Sequence, residues 1–142
     1  MRERRDPSVN HVGLSVSDLD RSTRFYVEAF GFEEKQRYEL EREISEIEGI
    51  ARLSIQFLQL GGTQLELLGF ASPPPFQAPS TTRHQIGLTH LSFAVDNLDE
   101  TVQLVIDHGG SLIEGTRAAP GAVPQVVFVA DPDGTRCELL ER

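Results

Sequence analysis

The chain has 142 residues and a mass of 15.8 kDa, with 39% hydrophobic and 25% charged residues, values that suit one folded domain and lie far from the composition of disorder. Its 13 Lys+Arg against 22 Asp+Glu give a net charge of −9, which argues against a nucleic-acid module and against docking on an anionic membrane. No apolar run is long enough to cross a bilayer, Met1 to Asp6 lack a secretory signal's apolar stretch, and the single Cys137 excludes an internal disulfide, so the expected compartment is the cytoplasm.

In chain order, His11 to Val16 alternates as a half-buried strand, with Val12, Leu14 and Val16 on one face and His11, Gly13 and Ser15 on the other. Asp18 or Asp20 can cap a following helix that carries Phe25, Tyr26, Ala29 and Phe30 and stops at Gly31. The glutamate-rich stretch from Phe32 to Ile50 is expected to hold a short strand and a mobile loop. Leu53 to Leu60 and Thr63 to Leu68 then read as a hairpin turning at Gly61-Gly62. A Pro-rich segment, residues 71–87, serves as linker.

The pattern then repeats. His90 to Val95 is a second alternating strand, Asn97 or Asp99 caps a second helix ended by Gly109-Gly110, and Val126 to Ala130 with Arg136 to Leu140 form a hairpin across Asp131-Pro132-Asp133-Gly134. Residues 11–22 align with 90–101 at an offset of 79, which also places Gly31 on Gly110. Gly62-Thr63-Gln64-Leu65-Glu66-Leu67-Leu68 aligns with Gly134-Thr135-Arg136-Cys137-Glu138-Leu139-Leu140 at an offset of 72. The expected organisation is one α+β domain, residues 8–142, of two β-α-β-β-β repeats (8–70 and 88–142) whose strands form an open, barrel-like mixed sheet.

Each repeat contributes one histidine and one carboxylate to a strand face otherwise bearing small residues. Singly, a strand histidine or glutamate is ordinarily a hydrogen-bonded surface group. Together, His11, Glu66, His90 and Glu138 form a donor set suited to one divalent first-row metal, Zn, Ni, Co, Mn or Fe; the lack of cysteine ligands argues against a structural zinc. Such an ion can polarise a carbonyl, and Glu66 or Glu138, swinging off it, can take the proton of an adjacent C–H. With Lys35 the only lysine, an anionic substrate group would fall to arginines: Arg52, Arg117 and Arg136 are the candidates, with Gln64 beside Glu66 as a further substrate contact. The Thr116 to Pro124 segment is expected to close over the pocket, and Cys137 to be a core residue.

These paired units, with His11, Glu66, His90 and Glu138 at equivalent strand positions and Asp131-Pro132-Asp133-Gly134 before the last glutamate, resemble the vicinal oxygen chelate superfamily over nearly the whole chain. The resemblance implies a metal-holding open sheet, often built across a homodimer, and a small-molecule substrate. Members include lactoylglutathione lyases, methylmalonyl-CoA epimerases, extradiol dioxygenases and resistance proteins that bind a ligand without chemistry. The ligand set is similar to that of lactoylglutathione lyase, yet Ser15 stands where that enzyme carries its glutathione-binding arginine, and Leu68-Gly69-Phe70 replaces its Asn-Trp-Gly. Epimerases carry glutamine at the Glu66 position and a base near Arg52, a residue that cannot remove a proton at neutral pH. The expectation is a lyase or isomerase acting α to a carbonyl, the alternatives being a non-catalytic binding protein and a dioxygenase.

Overall fold

The computed structural model describes residues 6–80 and 82–142. The first repeat runs β1 (Val12–Ser15), α1 (Leu19–Phe30), β2 (Glu33–Glu43), β3 (Ile50–Leu60) and β4 (Thr63–Ser72). The second runs β5 (Leu91–Val95), α2 (Leu98–Asp107), β6 (Ser111–Leu112), β7 (Val126–Ala130) and β8 (Arg136–Glu141). Each repeat closes its own mixed sheet, in the orders β1-β4-β3-β2 and β5-β8-β7-β6, with the first strand parallel to the last and the other pairs antiparallel. The sheets are open and curved, not a closed barrel.

Asp18, not Asp20, is the α1 cap, its carboxylate accepting from the Arg21 amide; Asn97 does the same for Glu100 at α2. Asp20 instead meets Arg37 of β2 across the helix–sheet layer at 2.8 Å. The Phe32–Ile50 segment departs most from expectation. In place of a short strand, its polar residues form an 11-residue edge strand, exposed along nearly all its length, which leaves only residues 44–49 for the loop. The strand borrows its order from β3, to which Tyr38, Leu40 and Arg42 are registered. Likewise β4 runs on to Ser72, taking two residues from the expected linker.

One core serves both repeats. Leu58, Leu65 and Leu67 of the first sheet and Val127, Val129 and Leu139 of the second join Phe25, Tyr26 and Ala29 of α1 and Val105 of α2 in a single buried cluster. Burying side chains of this size contributes roughly 1.5–3 kcal/mol each. Cys137 lies in this core, where burial pushes its thiol pKa up, so it is an unreactive apolar residue as expected.

Polar ties fix the repeats to one another. The Tyr26 hydroxyl donates to buried Asp131 at 2.8 Å, and the other oxygen of Asp131 accepts from the amides of Asp133 and Thr135. Asp133 in turn accepts from the amide and hydroxyl of Ser17 just ahead of α1. Thus the Asp131–Gly134 turn both closes the β7–β8 hairpin and docks α1. Phe30 of α1 stacks on Phe93 of β5 with centroids 4.0 Å apart.

Candidate metal centre

Strand register places the two candidate pairs by the same rule. Gly13 of β1 is opposite Glu66 of β4, and Ser92 of β5 is opposite Glu138 of β8. His11 and His90 each sit immediately before the first strand of their repeat, on the face of those partners, because side chains two residues apart share a face. Across the hairpins, Phe57 is registered with Glu66 and Phe128 with Glu138. Each phenyl ring meets its histidine edge-on, at 5.6 Å for His11 and 5.2 Å for His90. The recurring unit is therefore histidine, glutamate and phenylalanine. The phenylalanines escaped the sequence reading because their strand carries no other residue that repeats; the legible signal was a Phe ahead of each closing hairpin.

The first pair is in direct contact: His11 Nε2 lies 2.7 Å from Glu66 Oε2, while His11 Nδ1 faces Asn10 Oδ1 at 2.6 Å. An Nδ1 proton donated to Asn10 leaves Nε2 presenting a lone pair to a carboxylate, which is favourable only with a positive charge between them, either a proton or a cation. In the second pair His90 Nδ1 faces the Thr89 hydroxyl at 2.7 Å, and His90 Nε2 stands 4.0 Å from Glu138 Oε2. Glu138 also accepts from Ser92 at 2.8 Å, where the first repeat has Gly13 and no hydroxyl. Both histidine side chains are about one-third exposed, at 36% and 32%, so the pairs are open to solutes. The donor types and the outward-held Nδ1 atoms fit a divalent cation.

The number of donors is two per repeat. Among the described residues no three His, Cys, Asp or Glu side chains gather within metal-holding range, so the two pairs stand apart as candidate half-sites.

The other candidates separate. Arg136 stands on the face of Glu138, its guanidinium 5.1 Å from the Phe128 centroid. Gln64, its counterpart at offset 72, stands two residues from Glu66 on that same face of β4. Arg52 shares the opposite face of β3 with Ser54 and Gln56, the side that carries α1, and so points away from the half-site. Arg117 is held by Asp99 at the start of α2. The Thr116–Pro124 segment is fastened to its own sheet, by the Ala118 amide on Val126 and by Thr116 on Ile113 and Phe128, and does not line the clefts near the half-sites.

Two other segments do. The edges of β1 and β5 flank a cleft of about 370 Å³ lined by Val12 to Ser15, His90 and Arg136, with Pro79 and Ser80 of the linker above it. A second cleft, of about 430 Å³, continues from Ser15 under Phe70, Pro73 to Phe76 and the 46–48 loop.

The family model for the Glyoxalase/Bleomycin resistance protein/Dioxygenase superfamily matches residues 8–139. The uncharacterized protein YwkD of Bacillus subtilis is 34% identical over 137 residues, covering 95% of this chain and 97% of its own. A probable chloroplastic lactoylglutathione lyase of Arabidopsis thaliana is 28% identical over 136 residues; the match takes in 93% of this chain and 35% of that protein. Among solved structures, a glyoxalase family protein of Bacillus cereus superposes with a TM-score of 0.83 at 21% identity, covering 99% of this chain and 97% of that one.

Proposed function

The chain belongs to the glyoxalase/bleomycin resistance protein/dioxygenase superfamily, and from that premise we propose that it is a metal-dependent lyase or isomerase removing a proton α to a carbonyl of a small-molecule substrate. The observation that carries this reading is the duplicated histidine–glutamate pair, each imidazole aimed by a neighbour on Nδ1 so that Nε2 is free to ligate.

His11, Glu66, His90 and Glu138 would hold the ion. Since each chain offers its donors as two separate halves, the four-donor site is completed by apposing two copies, which makes the working form a homodimer. A divalent cation held there supplies a Lewis acid that polarises the substrate carbonyl. The proton is taken by a glutamate. Among the described residues Glu66 has His11 as its side-chain partner while Glu138 has both His90 and the Ser92 hydroxyl, so Glu66 has fewer tethers to break on swinging toward a substrate. Phe57 and Phe128 give each half-site one apolar wall beside its imidazole. Ser15 offers no guanidinium for glutathione, so the substrate is another carbonyl compound.

The test is proton exchange. Metal-loaded protein incubated in D₂O with a panel of 2-oxo and 2-hydroxy acids and thioesters is expected to wash deuterium into the α position of its substrate, and Glu66→Gln to slow exchange at least 100-fold. Protein that binds members of the panel without exchange would instead be a ligand-sequestering member of the family.

A further inference from the structure

Half of the described cations are paired with carboxylates: Arg21 with Asp133, Lys35 with Glu33, Arg37 with Asp20 and Glu39, Arg117 with Asp99, Arg142 with Asp96. Of the others, Arg24, Arg42, Arg52, Arg83 and Arg136, two share one aromatic ring. Arg83, from the segment between the repeats, and Arg136, from the first position of β8, both hold their guanidinium carbons 5.1 Å from the centroid of the same Phe128 ring. Neither has a carboxylate within ion-pair distance among the described residues. In a chain of net charge −9, two guanidiniums at one ring concentrate positive charge locally, which an anion would relieve.

They also line one small cavity of about 80 Å³, with the hydroxyl-bearing Ser80, Thr82 and Thr89 in its wall. This cavity shares Ser80, Leu88, Thr89 and Arg136 with the cleft that contains His90, so the two are continuous. Phe128 fixes the spacing: the His90 ring lies 5.2 Å from its centroid, which keeps both guanidiniums within about 10 Å of the imidazole. The opposite cleft has the other character, with Pro73 to Phe76 and Phe70 for walls and Glu46 and Glu48 at its rim, and would repel an anion.

We propose that Arg83 and Arg136 form an oxyanion subsite that seats a carboxylate or phosphate group of the substrate at the second half-site. The planar, five-donor guanidinium suits such groups, and two of them with the Thr82 and Thr89 hydroxyls in the same wall suit a tetrahedral or forked anion better than a thiol or amine. That the anion belongs to a substrate rests on the enzymatic reading above; that the anion binds does not. The substrate class is then a small carbonyl compound with an anionic group a few bonds from the reacting carbon.

The experiment is calorimetric titration of the full chain with inorganic phosphate and with succinate at constant ionic strength, before and after chelation of metal. Binding is expected to survive chelation and to weaken at least 10-fold in Arg83→Ala and in Arg136→Ala. Arg83→Lys and Arg136→Lys, which keep charge and packing, should fall between, and Arg117→Ala should match the parent. Loss of binding on chelation would place the anion on the metal and overturn the proposal. So would equal binding by the alanine variants, or no binding of either anion by the parent. A protein that binds phosphate through these arginines but exchanges no substrate proton would keep this subsite and defeat the enzymatic reading alone.

Discussion

The two repeats share a register and differ in what surrounds it. Both set a histidine ahead of the first strand, a glutamate opposite the second residue of that strand, and a phenylalanine across the hairpin. Around Phe57 the neighbours are His11 and Tyr38; around Phe128 they are His90, Arg83 and Arg136. The position that is Gln64 in one repeat is Arg136 in the other, and Gly13 is matched by Ser92. What the halves keep in common is the His–Glu–Phe unit, and what they do not keep sets two arginines beside Phe128 and none beside Phe57.

The same contrast holds for structural positions. Gly31 and Gly110 align at an offset of 79 yet stand at different places after their helices, because the left-handed residue after α2 is Gly109, with a φ of 94°. Gly31 has a φ of 78° with open space around the missing Cβ, so it serves conformation alone. A Cβ on Gly110 would stand 2.5 Å from the Ala130 carbonyl and under 3 Å from Val105 and Phe25, where α1, α2 and β7 converge. Gly110→Ala is therefore expected to destabilise by about 3 kcal/mol or more, through forced separation of the packed elements. Gly31→Ala should cost about 1 kcal/mol, the strain of a left-handed backbone. Denaturant unfolding of both measures the difference, and equal losses would mean the repeats are interchangeable here.

Next in size is the Tyr26–Asp131 tie. Burial raises the Asp131 pKa above the ordinary carboxylate value, and the Tyr26 hydroxyl opposes that rise. Because the folded state then holds the proton more tightly than the unfolded one, this group's stabilising term is full below the ordinary carboxylate range and is lost as pH rises through the raised value. Tyr26→Phe is expected to cost about 1–3 kcal/mol at neutral pH by leaving a buried oxygen unpaired, and to steepen the loss between acid and neutral pH. Asp131→Asn should flatten that slope. Melting curves across pH distinguish them, and a Tyr26→Phe profile parallel to the parent's would remove Asp131 from the account.

Smaller effects test the half-sites. Asn10→Ala and Thr89→Val, which release the Nδ1 atoms of His11 and His90, are each expected to weaken metal affinity about 10-fold without shifting the fold. Ser92→Ala, which removes the hydroxyl donor to Glu138, should change it least, since both carboxylate oxygens remain; a loss as large as that of Thr89→Val would show that the Ser92 hydroxyl orients Glu138.

Much of this was legible in the residues. The strand alternation, the Asp18 and Asn97 caps and the glycine stops follow from local chemistry, and the repeat aligned the four donors because the chemistry that spaces them is short-range along each strand. The length of β2 was hidden because its polarity comes from exposure on both faces, and its order from pairing with β3, a non-local cause. The placing of Arg52 depends on the pleat phase through an irregular register, and that of Arg117 on Asp99, distant in sequence, so neither was legible beforehand. Arg83 gave no signal at all: only folding brings the linker back to Phe128.

The central claim is that one ion needs both repeats. Titration of the metal-free protein with Co²⁺, read by its d–d absorption, is the most direct measure of it. The account predicts one ion per chain and loss of binding by more than 10-fold in His11→Ala and in His90→Ala alike. An alanine variant that keeps half of the sites at parental affinity, or a parent that binds no ion, would contradict it.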